Sequence, residues 1–239
     1  VEAGQIDWAE HNQDAGQLLH EMLRLDRTLN VIREWAEGRE DTVIIITADH
    51  DTGGFTMTYT AKDLPIKPMS IDGSLFKDIP YQPQNNFGDF SVLDRLYEQK
   101  SSYYNLMSKF RKAKPKNKTP RNLANMIKSA TGVELTIDEA LRIMKERENP
   151  YRVAGHKKLN DYVVPDIDVD QVFFTNPANM LGGLIARRVG IDQSITWSTG
   201  THSATPVPVI VVGPDWVKEK FPSVMHLTDL GRIMKELVK

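Results

Sequence analysis

Cysteine is absent from the 239 residues. That excludes disulfides and thiolate metal ligands, so any bound metal must rest on His, Asp and Glu. No apolar run approaches the ~20 residues that a membrane-spanning helix needs. Neither charge sign dominates, at 30 basic against 32 acidic residues. Nothing global therefore directs the chain to nucleic acid or to an anionic membrane. Internal repeats and low-complexity tracts are also missing. No signal peptide is visible, and the chain opens on "VEAGQID" rather than on Met, which reads as a fragment or a processed chain. What is present is a hydrophobic content of 40%. That is enough for one large domain, or one domain carrying an elaborate insertion.

Residues 7–37 read as one long helix. Leu18, Met22, Leu25, Leu29, Ile32 and Ala36 fall alternately four and three apart, on one helical face, and Gly38 is placed to close it. "DTVIIIT" then reads as a short strand buried on both faces of a parallel sheet. The middle of the chain is richer in Pro, Lys, Asn and Tyr. Two surface helices are predicted there. One has Thr119 as N-cap, Pro120 at its first position and Gly132 past its end. The other opens with a Thr136–Glu139 capping box. The core resumes with a strand over 170–175, a helix over 176–190 and a strand at "PVPVIVVG", entered at an edge through Pro206 and Pro208. Gly182 and Gly183 inside the helix point to close backbone packing. A last amphipathic helix, "LTDLGRIMKELVK", is expected to be capped by Thr228. The expected fold is α/β: three layers, α/β/α, around a largely parallel central sheet. Residues 1–60 and 170–239 form its core, and 61–169 form a helical and loop-rich insertion.

Three segments offer chemistry. Asp7 and His11 are four apart and share a helical face that continues the apolar stripe backwards through Ala15. A metal would satisfy both groups, and so would a simple Asp–His hydrogen bond near the helix start. Asp49 and His50 end an apolar strand, where sites form in open α/β sheets. Asp49 could equally cap a turn while His50 packs, and Gly53 and Gly54 could let backbone approach a metal closely. His202 lies in the Gly/Ser/Thr-rich loop "TGTHSATPVPV", where a lone His is more often structural. Ser203 beside it is discounted as a nucleophile, because neighbouring residues rarely reach nucleophile–base geometry. Taken together with Glu2, the set suits divalent cations without thiolates.

"VEAGQIDWAEH", "TADHDTGGF" and "TGTHSATPVPVIVVGP" resemble three signature segments of the alkaline phosphatase family, in the family's order. The resemblance is good over roughly 1–60 and 170–239 and thin between. It implies a zinc- and magnesium-dependent phosphomonoesterase that works by two-zinc catalysis through a phosphoserine. It further implies that Asp7, His11 and His202 hold one zinc, that Asp49 and His50 belong to the second, and that Glu2 ligates magnesium. Two cations about 4 Å apart can neutralise the entering and departing oxygens of an in-line phosphoryl transfer.

The family's serine nucleophile, its bridging aspartate and its phosphate-clamping arginine all precede the segment that starts at Glu2. This chain is therefore expected to be the C-terminal portion of such an enzyme, with no catalytic nucleophile of its own, inactive unless joined to its N-terminal part. The alternatives are a non-catalytic metal-binding or interaction domain, and a phosphodiesterase or mutase of the same superfamily. The resemblance also implies a phosphate monoester substrate, a homodimer, and periplasmic or secreted residence. Elsewhere, residues 109–121 hold seven basic residues in thirteen, which reads chiefly as a solvated loop. Trp8, Trp35, Trp197 and Trp216 read as packing residues, with Trp8 at the mouth of a pocket. His20 and His226 read as structural.

Overall fold

A computed structural model describes residues 1–58, 67–69, 77, 79–81, 91–157, 159–167 and 177–238. The strand expected over 170–175 lies outside the described residues. In chain order the elements are α1 (Gln5–His11), α2 (Ala15–Ala36), β1 (Ile44–Thr47), β2 (Asp51–Thr52), β3 (Phe55–Met57), β4 (Lys67–Met69), β5 (Ile79–Tyr81), α3 (Ser91–Tyr97), α4 (Tyr103–Lys112), α5 (Pro120–Thr131) and α6 (Ile137–Met144). They continue with β6 (Glu146–Glu148), β7 (Val163–Pro165), α7 (Pro177–Gln193), β8 (Ile195–Trp197), β9 (His202–Ser203), β10 (Val209–Val212), α8 (Asp215–Lys218) and α9 (Leu227–Leu237). No described helix is long and apolar enough to cross a membrane. The chain forms two compact units, Val1–Met22 with Thr52–Thr201, and Leu23–Asp51 with His202–Lys239.

In the first unit, the single helix expected over 7–37 is two. The chain breaks between α1 and α2, where Gln13 takes φ 53°. Asp14 then starts α2: its side chain accepts the Gln17 N–H at 3.0 Å and its carbonyl accepts the Leu18 N–H at 2.9 Å. The apolar stripe runs through this break, but an aspartate that captures a backbone N–H favours a cap over helix interior.

The unit's main core is helical. Tyr103, Leu106 and Phe110 of α4 pack with Leu123 and Ile127 of α5, Ile143 of α6, and Ile185 and Val189 of α7. Each fully buried aliphatic side chain contributes about 1.5–3 kcal/mol. The predicted caps hold: Thr119 accepts from Asn122 N–H, Gly132 closes α5 in the left-handed region, and Thr136 and Glu139 form a reciprocal capping box. A second cluster joins Ala15, Val92, Leu96 and Ile195. Antiparallel pairs β3–β8, β4–β5 and β6–β7 complete the unit. Gly182 brings α7 against the break after α1, because a Cβ there would stand 2.5 Å from the Asn12 carbonyl oxygen. Trp197 packs into this unit's core, and His20 sets its Nε2 2.9 Å from the Tyr97 carbonyl.

The second unit pairs β1 with β10, from Ile44 opposite Val212 to Thr47 opposite Val209. The mixed α/β class is as expected, but the pairs β1–β10, β3–β8, β4–β5 and β6–β7 are antiparallel, where a largely parallel sheet was expected. An apolar β-branched run reports how much cover a strand needs; it does not report the direction of its neighbour. Nor are these strands fully covered here: β1 is only half-buried, and Ile210 and Val212 of β10 alternate outward. Gly38 takes φ 73° just past α2, as expected. The cap of α9 is His226, not Thr228: Asp229 accepts the His226 N–H, and His226 Nδ1 accepts the Thr228 N–H at 3.3 Å. Trp35 and Trp216 are exposed rather than packed, Trp35 under the Arg39 guanidinium at 4.0 Å.

Candidate metal centre

Helix α1 sets Asp7 and His11 one turn apart, with His11 Nε2 3.5 Å from Asp7 Oδ1. His11 Nδ1 lies 3.2 Å from the Gly200 carbonyl oxygen. A carbonyl only accepts, so this partner assigns the ring proton to Nδ1 and leaves the Nε2 lone pair facing Asp7. Asp7 Oδ1 also accepts a hydrogen bond from Thr52 Oγ1 at 2.7 Å. Two acceptors that face one another across 3.5 Å call for a cation or a proton between them. This donor set, one carboxylate and one imidazole whose other nitrogen is held by a carbonyl, fits a divalent metal.

The first unit braces this pair at the end of α1. Asn179 Nδ2 of α7 donates to the His11 carbonyl at 2.7 Å, and Gln13 Nε2 donates to the Thr199 carbonyl at 2.8 Å. The Gly53 N–H donates to the Thr201 carbonyl at 2.9 Å, and the Gly53 carbonyl accepts the Ser198 and Thr199 N–H groups. Gly53 and Gly54 take φ 74° and 57°. A Cβ on Gly53 would strike the Trp197 ring, and one on Gly54 would strike the Ser198 hydroxyl. These glycines were expected to bring backbone near a metal. They bring it near the 197–201 loop instead, which carries the carbonyl that orients His11. A cleft of about 660 Å³ opens beside the pair, lined in part by Gln5, Asp7, Trp8, His11 and Asn179.

Beneath this region lies Asp14, fully buried, which the sequence reading passed over. It accepts from Gln17 N–H, from Gln99 Nε2 at 2.6 Å and from Tyr103 N–H at 2.7 Å. Burial pushes its carboxyl up from the ordinary range, against the hydrogen bonds that pull it down. A sequence signal existed: an aspartate directly ahead of an apolar helical run is an N-cap candidate. Thr52 was hidden for another reason, since "DHDTGG" was read for its metal donors and its glycines.

In the second unit, Asp49 and His50 follow β1 as expected, with His50 Nε2 3.3 Å from Asp49 Oδ2. The rings of His50 and His202 stack at a centroid distance of 3.6 Å. The unit thus brings three of the candidate ligands together. The Ser203 hydroxyl donates to Asp51 Oδ2. Glu2 is exposed ahead of α1, its carboxylate against Gly4.

A profile of the alkaline phosphatase family matches residues 1–239. Among curated proteins, the chain is 40% identical over 57 residues to alkaline phosphatase 4 of Bacillus subtilis, covering 24% of this chain and 12% of that one. It is 38% identical over 55 residues to the repressible alkaline phosphatase of Saccharomyces cerevisiae, covering 23% of this chain and 10% of that one. Among solved structures, the Thermus thermophilus alkaline phosphatase aligns with a TM-score of 0.59 at 23% identity, over 89% of this chain and 37% of that one. The cold-active enzyme from the psychrophile Shewanella sp. aligns with a TM-score of 0.59 at 18% identity, over 100% of this chain and 44% of that one. The chain thus spans less than half the length of these relatives.

Proposed function

The chain belongs to the alkaline phosphatase family, and from that premise we propose that it is the metal-ligand-bearing part of a phosphomonoesterase. The enzyme hydrolyses phosphate monoesters by two-zinc catalysis through a phosphoserine, and the serine resides on another part of the same protein. Asp7, His11 and His202 hold one zinc, Asp49 and His50 contribute to the second, and Glu2 serves magnesium. The observation that carries this reading is the Asp7 Oδ1–His11 Nε2 pair, two acceptors 3.5 Å apart with the imidazole oriented from behind by Gly200. Support for adding His202 is covalent. It follows directly on Thr201, whose carbonyl takes the Gly53 N–H, and stands two residues after Gly200. Bound zinc supplies Lewis acidity toward a phosphoryl oxygen and lowers the pKa of a coordinated water.

The chain's own residues prepare the site. The Gly200 carbonyl keeps the His11 proton on Nδ1, so that the Nε2 lone pair faces the Asp7 carboxylate. Thr52 and Asn179 hold the carboxylate and the end of α1. The cleft beside Trp8 receives the organic part of the ester. Periplasmic or secreted residence and a homodimeric enzyme belong to the same reading.

The test is twofold. Zinc content of the purified chain, by elemental analysis after dialysis, should come to about one firmly held ion. Hydrolysis of a simple aryl phosphate by this chain with zinc and magnesium should stay at background, and should appear once the serine-bearing part is supplied. An absence of zinc would remove the metal reading. Zinc uptake with no turnover even in the completed protein would leave a metal-binding module. Rapid turnover by the chain alone would show that one of its own residues is the nucleophile.

A further inference from the structure

We infer that Thr52 is a positioning residue for Asp7: its hydroxyl fixes the plane of the carboxylate, and thereby sets how tightly the Asp7–His11 pair grips a divalent cation. The inference rests on the metal reading above and adds a residue to it that offers no metal-ligating nitrogen or carboxylate of its own.

Thr52 is 1% exposed, among the most buried polar residues described. Its Oγ1 donates to Asp7 Oδ1 at 2.7 Å, the same oxygen that stands 3.5 Å from His11 Nε2. One lone pair of that oxygen is therefore committed to Thr52, on the atom that also faces His11. An aspartate's terminal torsion is soft, so an unrestrained carboxylate swings widely about its Cβ–Cγ bond. A donor on one oxygen removes that freedom. Being charge-assisted, the bond is stronger than an ordinary hydroxyl contact.

Thr52 is itself well placed to act as a clamp. Its β-branched side chain is stiff at χ1. The next residue, Gly53, is pinned at both its N–H and its carbonyl by the 198–201 segment. Thr52, Asp7 and His11 thus form a chain of three side chains in which the outermost is rigid. The Gly200 carbonyl plays the matching part on the imidazole. Outer partners of this kind typically change metal affinity 10–100-fold when removed.

The experiment is zinc affinity of the purified 239-residue chain by competition with a chromophoric chelator, alongside the thermal midpoint of the metal-free protein. Thr52→Val keeps shape and volume but removes the donor. It should weaken zinc about tenfold or more, with the metal-free midpoint moved by only a few degrees. Thr52→Ser, which keeps the hydroxyl, should stay within about threefold of wild type. In an Asp7→Ala background, Thr52→Val should have no further effect on zinc, because its route to the metal is gone. A purely structural Thr52 would lower the metal-free midpoint and leave zinc affinity within twofold, and that result overturns the inference. So does an equal loss from Thr52→Val with or without Asp7. Should Thr52→Val fail to fold, Thr52→Ala is read against Thr52→Ser in its place. A wild-type chain that takes up no zinc defeats the metal reading itself; a wild type that binds zinc with an indifferent Thr52→Val defeats this inference alone.

Discussion

The backbone N–H of Tyr103 donates to the Asp14 carboxylate at 2.7 Å, across 89 residues of sequence. One buried side chain thereby joins the start of α2 to the start of α4. Asp14 directly follows Gln13, whose left-handed backbone separates α1 from α2.

Asp14→Ala should be among the most damaging single changes in the first unit. It leaves the Tyr103 N–H and the Gln99 amide without their acceptor and removes the cap of α2. Stranding buried donors costs about 1–3 kcal/mol each, so a loss of about 3 kcal/mol is expected in urea unfolding. Asp14→Asn, which keeps one acceptor oxygen, should lose less.

The same carboxyl predicts a pH dependence. Burial raises its folded-state pKa above the ordinary 3.8. At acid pH, below both values, folded and unfolded chains are both protonated and the fold keeps its full advantage. As pH rises the unfolded chain ionises first, and stability is lost until the folded carboxyl also gives up its proton. The stability of wild type relative to Asp14→Asn should therefore fall from about pH 4 toward neutrality. Urea midpoints across that window measure it; a difference that grows with pH would contradict the assignment.

Gly182→Ala should separate α7 from α1. The added Cβ would stand 2.5 Å from the Asn12 carbonyl oxygen, which is backbone and cannot simply rotate away. Overpacking of this kind costs about 1–3 kcal/mol. Because Asn179, on the same helix, holds the His11 carbonyl, zinc affinity should fall together with stability, as a chelator competition would show.

Zinc should stabilise the chain by mass action. At about 100 times the dissociation constant the gain is about 2.7 kcal/mol. His11→Ala should realise less than about half of that at the same zinc concentration, as judged by the shift in thermal midpoint. An equal shift in both proteins would place the metal elsewhere.

Much of the local structure was legible because its causes are local. Thr119, Pro120 and Gly132 bound α5, and Thr136 with Glu139 opens α6, through atoms a few residues apart. The i, i+4 spacing of Asp7 and His11 likewise needed only helix geometry. What escaped depends on distant partners or on competition between similar signals. The break at Gln13 lies inside an unbroken apolar stripe, and Asp14's capping tendency was the weaker signal until Gln99 and Tyr103 committed it. His226 outcompeted Thr228 as the cap of α9, a choice between two side chains two residues apart. The direction of β10 beside β1 left no mark on either strand's composition. Thr52 drew no attention because its hydroxyl is aimed at a residue 45 positions earlier.

The contact between His11 and Gly200 spans 189 residues. A ribosome would release α1 long before it releases the carbonyl that sets the imidazole's tautomer. Nascent chain bearing α1 alone therefore offers a histidine with either nitrogen protonated. Long-range contacts form late, so the metal capture proposed for this pair would follow synthesis of the 197–201 loop rather than guide the folding of α1.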